Sequence, residues 1–192
     1  AARPDDALLS EEEQDNPARC GQSRVWIVDP LDGTREYGEG RDDWAVHVAL
    51  AIDGVASVGA VALPGTCLTL SSEVPEPLRP ANRPLKMLVS RTRPAAEAVY
   101  VAQQLGAELL PMGSAGAKAM AVVLGQADIY LHTGGQYEWD NCAPVAVAQA
   151  VLGVVAGASA VEVFAHDAQH PGGVVGVDVL APGGELGGHL LG

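Results

Sequence analysis

A strand-forming run that ends in two closely spaced carboxylates constrains this chain more than any other segment. Residues 25–29 read VWIVD and Pro30 interrupts the run, which predicts a buried strand that ends at Asp29. The motif continues as DPLDGT, in which Gly33 turns the backbone, so Asp29 and Asp32 can converge on one side of a bend. A hard divalent cation such as Mg²⁺ would relieve their repulsion, because it binds carboxylate and backbone carbonyl oxygens. The alternative interpretation is that Asp-Pro and Asp-Gly simply form turns.

Two further acidic motifs accompany this one. Residues 9–13, LSEEE, place carboxylates shortly before the strand, although a charge run of this kind usually faces water. The EWD motif that ends at Asp140 precedes a helical run over 141–153, and there the alternative is that Asp140 is a helix N-cap. His47, in contrast, has no partner at a metal-ligand spacing, so we predict a structural or exposed histidine.

The order of the predicted elements indicates an α/β fold in two regions. Strand-like runs flank an Asp-Gly pair at 53–54, which predicts an antiparallel hairpin. A proline-rich segment at 73–84 then separates a sheet region over 1–80, which carries the metal motifs, from a second α/β region over 81–192. The second region is predicted to contain strand 85–90, helix 94–107 closed by Gly106, strand 108–111, helix 116–126 and strand 128–131.

The charge and composition of the chain narrow the classes of function. Its 24 acidic and 11 basic residues give a net charge of −13, which repels nucleic acid polymers and anionic membrane surfaces. No apolar run approaches the ~20 residues of a membrane span. The 3 cysteines form no CxxC pair, so we expect neither a disulfide framework nor a zinc site, and a reducing cytoplasm fits best. Because the sequence has no signal pattern and no initiator Met, we expect the natural gene product to begin upstream of Ala1.

In combination and order, the three acidic motifs resemble the Mg²⁺-dependent, lithium-sensitive phosphatase superfamily that contains inositol monophosphatase and fructose-1,6-bisphosphatase. Within it, five features are most similar to the actinobacterial CysQ branch of 3′(2′),5′-bisphosphate nucleotidases. They are the Ser10-Glu11-Glu12 form of the LSEEE motif, DPLDGTRE at 29–36, RDDWAVHVAL at 41–50, GSAGAKAM at 113–120 and YEWDNCAP at 137–144. The resemblance covers residues 5–153 and implies layered helices and sheets, with an antiparallel sheet region followed by a smaller mixed sheet region.

The resemblance implies a set of metal ligands. They are Glu11, Asp29, Asp32, Asp140 and the backbone carbonyl of Leu31, which together would hold two or three Mg²⁺ ions.

It also implies which residues act on the substrate. Thr34 would orient the attacking water beside Asp32, and these two are the catalytic candidates. Ser114 and Lys118 of the GSAGAK string would contact the nucleotide and its remaining phosphate; without the resemblance, that string indicates a helix start with a surface lysine. The implied substrate contacts are Glu11, Leu31, Asp32, Gly33, Thr34, Ser114, Lys118 and Asp140.

The implied reaction removes the 3′-phosphate of 3′-phosphoadenosine 5′-phosphate, a small phosphorylated nucleotide, and the implied assembly is a homodimer. Two alternatives stay open: hydrolysis of inositol phosphates or fructose-1,6-bisphosphate, and binding of metal or nucleotide without turnover. The second arises because relatives carry upstream helices with an Asp that partners the Thr of DGT, and this chain begins after that segment. Residues 154–192 lack the ending of the family, so we hypothesise a truncated gene model with a frameshift near residue 153.

Overall fold

The computed structural model describes residues 3–133, 135–154 and 175–178, which form two sheets and four α-helices. The first sheet has the strand order β1-β2-β3-β4-β5 and the second has the order β7-β6-β8-β9. The strands are β1 Ala7–Ser10, β2 Arg24–Asp32, β3 Ala45–Ile52, β4 Val55–Leu63, β5 Leu68–Ser71, β6 Lys86–Ser90, β7 Glu108–Met112, β8 Ile129–His132 and β9 Val175–Asp178. The helices are α1 Thr34–Gly38, α2 Ala96–Leu105, α3 Ala115–Val123 and α4 Glu138–Val154.

The first sheet is antiparallel except for the parallel pair of β1 and β2. The predicted hairpin is confirmed: β3 and β4 are joined by Asp53 and Gly54, both in the left-handed region, at φ of 50° and 80°. Sequence reasoning missed β1 and β5. Each has only four residues, and β1 lies in a polar, acidic stretch whose pairing with β2 comes from the tertiary fold.

Strand β2 does not end at Asp29 as predicted but continues to Asp32. Asp29 pairs with His47 and Asp32 pairs with Ala45, with a register shift between the two pairs. Because Pro30 has no N–H, it interrupts the ladder without ending the strand. Residues three apart on a regular strand face opposite sides of the sheet, so this irregularity lets both aspartates point inward.

The second sheet is smaller and mixed, and its predicted β-α-β unit is confirmed. Strands β6 and β7 pair in parallel through α2, which ends at Gly106 with φ of 62°. The linker at 73–84 contains no helix or strand. It is tied to this sheet by Asp128, whose carboxylate accepts the backbone N–H groups of Asn82 and Lys86, both at 2.7 Å.

Helices α3 and α4 pack against the first sheet and contribute 10 of the 21 buried residues of the core that they share. Helix α4 begins at Glu138, earlier than the predicted 141, so Asp140 is a first-turn residue and not the N-cap. Pro144 lies inside this helix and cannot donate the usual backbone hydrogen bond to the carbonyl of Asp140. The fully buried members of the shared core include Leu9, Val61, Met120 and Val147.

The chain is therefore an α/β protein in which helices and sheets form layers. Among the described residues, no helix combines the length and the apolar character that a membrane crossing requires. The atypical character predicted for 154–192 falls almost wholly on residues outside the described ranges.

Candidate active site

Three carboxylates converge where the first sheet meets α4. One oxygen each from Asp29, Asp32 and Asp140 lies within 4.8 Å of the others. Asp29 and Asp32 come from the irregular end of β2, and Asp140 comes from the first turn of α4. Asp29 is 1% exposed and Asp32 is 8% exposed, so the cluster is not a solvated patch. The alternative interpretations hold beside this convergence: Asp29 Oδ1 accepts the N–H of Leu31 at 2.9 Å, as in a turn, and Asp140 Oδ2 accepts the N–H of Tyr137, just before α4, at 2.7 Å, as a cap does.

The crowding of these carboxylates raises two pKa values. Burial, followed by the charge of Asp32, raises the pKa of Asp29 to about 8. Burial also raises the pKa of Asp140 to about 6, again with a contribution from Asp32. A hard cation fits this donor set, because it supplies the positive charge that the three oxygens lack among themselves.

We expect the affinity for Mg²⁺ to rise between about pH 6 and about pH 8. Because the raised pKa of Asp29, about 8, keeps a proton on its carboxyl at neutral pH, a metal ion must displace that proton. Each displaced proton changes the affinity by about tenfold per pH unit below the pKa. Isothermal titration calorimetry across this range, in two buffers of different ionisation enthalpy, measures both the affinity and the proton release. A pH-independent affinity would contradict the prediction.

Asp32 is held by the start of α3. The Ser114 hydroxyl donates to Asp32 Oδ2 at 2.5 Å, and the backbone N–H of Gly116 donates to the same oxygen at 2.7 Å. Ser114 is also the N-cap of α3 and accepts the N–H of Ala117 at 2.9 Å. The resemblance implies that Ser114 contacts the nucleotide, but in this structure its hydroxyl donates to Asp32.

The helix start predicted for GSAGAK is confirmed, but the surface position of its lysine is wrong, because Lys118 is buried. Its ammonium donates to the carbonyls of Gly113 at 3.2 Å and Ser114 at 2.5 Å, and lies 5.1 Å from the centre of the Tyr130 ring. Burial lowers the pKa of Lys118, while the charge of Asp32 opposes that shift. The amine of Lys118 is thus close enough to the cluster for the charges of Asp32 and Asp140 to act on its pKa.

The remaining predicted residues surround the cluster at the end of β2. Glu11 is exposed, and its charge raises the pKa of both Asp29 and Asp140. The backbone N–H of Leu31 donates to Asp29 Oδ1 at 2.9 Å and so orients that carboxylate. Gly33 has φ of 91° and immediately precedes Thr34, the exposed first residue of α1. A Cβ at Gly33 would lie 3.2 Å from the Cβ atoms of Ser114 and Trp44, which together with the positive φ explains the glycine.

Of the two positions predicted for His47, structural or exposed, the structure shows the first: the side chain is fully buried, and its place at the cluster was not predicted. Its Nδ1 lies 2.9 Å from the carbonyl oxygen of Trp139, and its Nε2 lies 3.3 Å from Asp32 Oδ2. The alternation of β3 could have indicated the inward side chain, since His47 shares a face with the buried Ala45 and Ala49. Only the register of β3 against β2 brings it next to the aspartates.

Sequence reasoning missed Glu36 of α1, which is buried beside the site. Arg91, just after β6, donates to its carboxylate at 3.0 Å and to Glu39 at 2.7 Å. A Cβ at Gly113 would overlap the Glu36 side chain, so Gly113 permits a close approach to Glu36. The glycines of GSAGAK therefore serve contacts within the protein, in addition to any approach to a phosphate.

Comparisons with known proteins agree with this geometry. The profile of the inositol monophosphatase family matches residues 1–102 and 71–181. The 3′-phosphoadenosine 5′-phosphate phosphatase of Mycobacterium tuberculosis is 50% identical over 157 residues, which cover 77% of this chain and 59% of that protein. The 3′(2′),5′-bisphosphate nucleotidase CysQ of Escherichia coli is 32% identical over 160 residues, covering 77% of this chain and 65% of that protein. The crystal structure of CysQ from Bacteroides thetaiotaomicron superposes with a TM-score of 0.68 at 26% identity, covering 76% of this chain and 66% of that chain. The chain thus spans about three fifths to two thirds of the length of these relatives.

Proposed function

Because the chain belongs to the inositol monophosphatase family, we propose that it hydrolyses phosphate monoesters and that its substrate is 3′-phosphoadenosine 5′-phosphate. The products would be AMP and inorganic phosphate. The observation that carries the proposal is the buried cluster of Asp29, Asp32 and Asp140. The substrate assignment rests on two relatives, the 3′-phosphoadenosine 5′-phosphate phosphatase of Mycobacterium tuberculosis and the 3′(2′),5′-bisphosphate nucleotidase of Escherichia coli.

The proposed cofactor is Mg²⁺, in two or three ions. The proposed ligands are Glu11, Asp29, Asp32, Asp140 and the backbone carbonyl of Leu31. Their oxygens are the hard donors that Mg²⁺ prefers, and a cation would offset the burial and the Asp32 charge that raise the pKa of Asp29 and Asp140. When bound, such ions neutralise the phosphate, lower the pKa of a water and stabilise the departing oxygen.

The roles of the other residues follow from their positions. Thr34 is exposed beside the cluster and is proposed to orient the attacking water, while Asp32 is kept in one orientation by Ser114 and Gly116. The backbone amides of Gly33 and Thr34 are proposed to hold phosphate oxygens. Lys118 has three N–H donors and uses two on carbonyls, so one is left for the remaining phosphate of the substrate.

The test compares phosphate release from 3′-phosphoadenosine 5′-phosphate and from inositol 1-phosphate, with Mg²⁺ and after chelation. We expect kcat/KM to favour the nucleotide by at least about tenfold, which is about 1.4 kcal/mol in activation free energy. Faster release from inositol 1-phosphate, or from fructose-1,6-bisphosphate, would contradict the substrate assignment. No release from any ester, together with Mg²⁺-dependent nucleotide binding, would contradict turnover by this chain and leave a binding function.

A cytoplasmic location is proposed as well. The thiols of Cys20, Cys67 and Cys142 are all free, which suits a reducing compartment. The division into regions 1–80 and 81–192 and the homodimer implied by the family resemblance stay predictions.

A further inference from the structure

His47 connects the two elements that carry the clustered carboxylates. It lies on β3 directly opposite Asp29 of β2, and its ring projects toward α4. The Trp139 carbonyl can only accept a hydrogen bond, so at 2.9 Å the His47 Nδ1 carries the hydrogen that joins them. Trp139 immediately precedes Asp140, so this bond fixes the helix turn that presents the third carboxylate.

The other ring nitrogen faces the second carboxylate. His47 Nε2 is buried, lies 3.3 Å from Asp32 Oδ2, and makes no hydrogen bond within the part of the chain that the structure describes. The same oxygen already accepts from Ser114 and Gly116. Oδ2 is therefore surrounded by protein groups, which leaves Oδ1 as the oxygen of Asp32 that is free for a ligand.

Gly116 makes room for the ring. A Cβ built on Gly116 would overlap His47 Nε2 and come within 3.0 Å of two ring carbons. Gly116 is the second residue of α3, in the first turn, where its N–H has no partner within the helix and donates to Asp32 instead. Gly116 thus has two roles. Its N–H donates to Asp32, and its missing side chain leaves the space that the His47 ring occupies.

From these contacts we propose that His47 is a positioning residue, which holds the Asp140 turn through the Trp139 carbonyl while its ring packs against Asp32, and that Gly116 is the glycine required by its ring. The inference rests on the proposed metal-binding function of the cluster. Residues that support a metal ligand typically change metal affinity by about 10- to 100-fold when they are replaced.

The first experiment measures Mg²⁺ affinity by calorimetry and the rise in melting temperature that Mg²⁺ produces, with no activity readout. A His47→Leu variant should bind Mg²⁺ at least about tenfold more weakly and lose most of that rise. A His47→Asn variant should recover most of the affinity, because its side-chain amide can donate to the Trp139 carbonyl from the position of Nδ1. Unchanged Mg²⁺ affinity in His47→Leu, or equal losses in both variants, would overturn the inference.

An Asp32→Asn variant separates this inference from the proposed function. If Asp32→Asn binds Mg²⁺ as tightly as the unaltered chain, the cluster is not the metal site and the proposed function fails. If Asp32→Asn loses Mg²⁺ binding while His47→Leu keeps it, only the positioning role is overturned.

A double-mutant cycle tests the pairing of His47 with Gly116. In the unaltered chain, Gly116→Ala should lower both the melting temperature and the Mg²⁺ affinity, because the new Cβ displaces the ring. In a His47→Ala background the same change should lower both far less, since the ring no longer occupies the space that the new Cβ enters. Equal effects of Gly116→Ala in the two backgrounds would overturn the pairing.

Discussion

An Asp32→Asn variant is expected to melt at a higher temperature than the unaltered chain in the absence of metal, yet to lose Mg²⁺ binding and phosphate release. The charge of Asp32 raises the pKa of both Asp29 and Asp140, so the three carboxylates destabilise one another in the folded chain. Asparagine removes that repulsion. Its oxygen can still accept from Ser114 and Gly116, and its NH₂ group can donate to the neighbouring carboxylates.

The same change removes the oxygen that is free for a metal ion. We expect the Mg²⁺ affinity to fall by at least about 100-fold, the upper end of what residues that merely support a ligand cause. Phosphate release should fall by about 10²- to 10³-fold, as when a group that stabilises transition-state charge is deleted. Differential scanning calorimetry with and without Mg²⁺, alongside the phosphate assay, measures all three effects.

Asp128 provides the matched control for this substitution. Like Asp32 it is 8% exposed, but it accepts backbone N–H groups of the linker and of β6, away from the cluster. Asp128→Asn should therefore lower the melting temperature and leave the Mg²⁺ affinity unchanged. If Asp32→Asn also melts lower, and by as much, then Asp32 is a structural residue and the cluster is not a strained metal site.

The DPLDGT motif shows what the local sequence can predict and what it cannot. Two aspartates after a buried strand, separated by a proline, indicate a bend with converging carboxylates, and the structure confirms that convergence. The continuation of β2 past Pro30 could not be predicted, because it depends on pairing with β3 and not on the residues of β2 themselves.

The parts of the site contributed from a distance were harder to predict. Asp140 lies 108 residues after Asp32 (140 − 32), and only the resemblance to a family, not any spacing, joined the two. Without the resemblance, Lys118 is predicted at the surface, because lysines are rarely buried without a partner. Its partners are backbone carbonyls, which a sequence does not reveal. The place of His47 at the cluster was missed for the same reason, since its neighbours are set by strand register and helix packing.

Replacing Lys118 by methionine is expected to erase discrimination for the remaining phosphate of the substrate. The loss of a hydrogen bond from an ammonium to a charged group is worth about 1.5–3 kcal/mol, which is about 10- to 150-fold in KM. We therefore expect KM for 3′-phosphoadenosine 5′-phosphate to rise by that factor, while adenosine 3′-monophosphate, which lacks the second phosphate, is hydrolysed about as before. Steady-state kinetics on the two substrates measures the difference directly.

Two controls accompany Lys118→Met: the same substitution at the other lysine of the chain, and a measurement of the stability of the variant. Lys86→Met, in β6, makes the same substitution at the other lysine and should leave both substrates unaffected. The buried ammonium also donates to the carbonyls of Gly113 and Ser114, so Lys118→Met should melt at a lower temperature. Circular dichroism identifies the temperatures at which the variant is folded, and the kinetics are measured there. Since Ser114 also holds Asp32, loosening of this turn would slow both substrates equally. An equal loss on the two substrates would thus assign Lys118 to the support of Asp32 and refute its contact with the second phosphate.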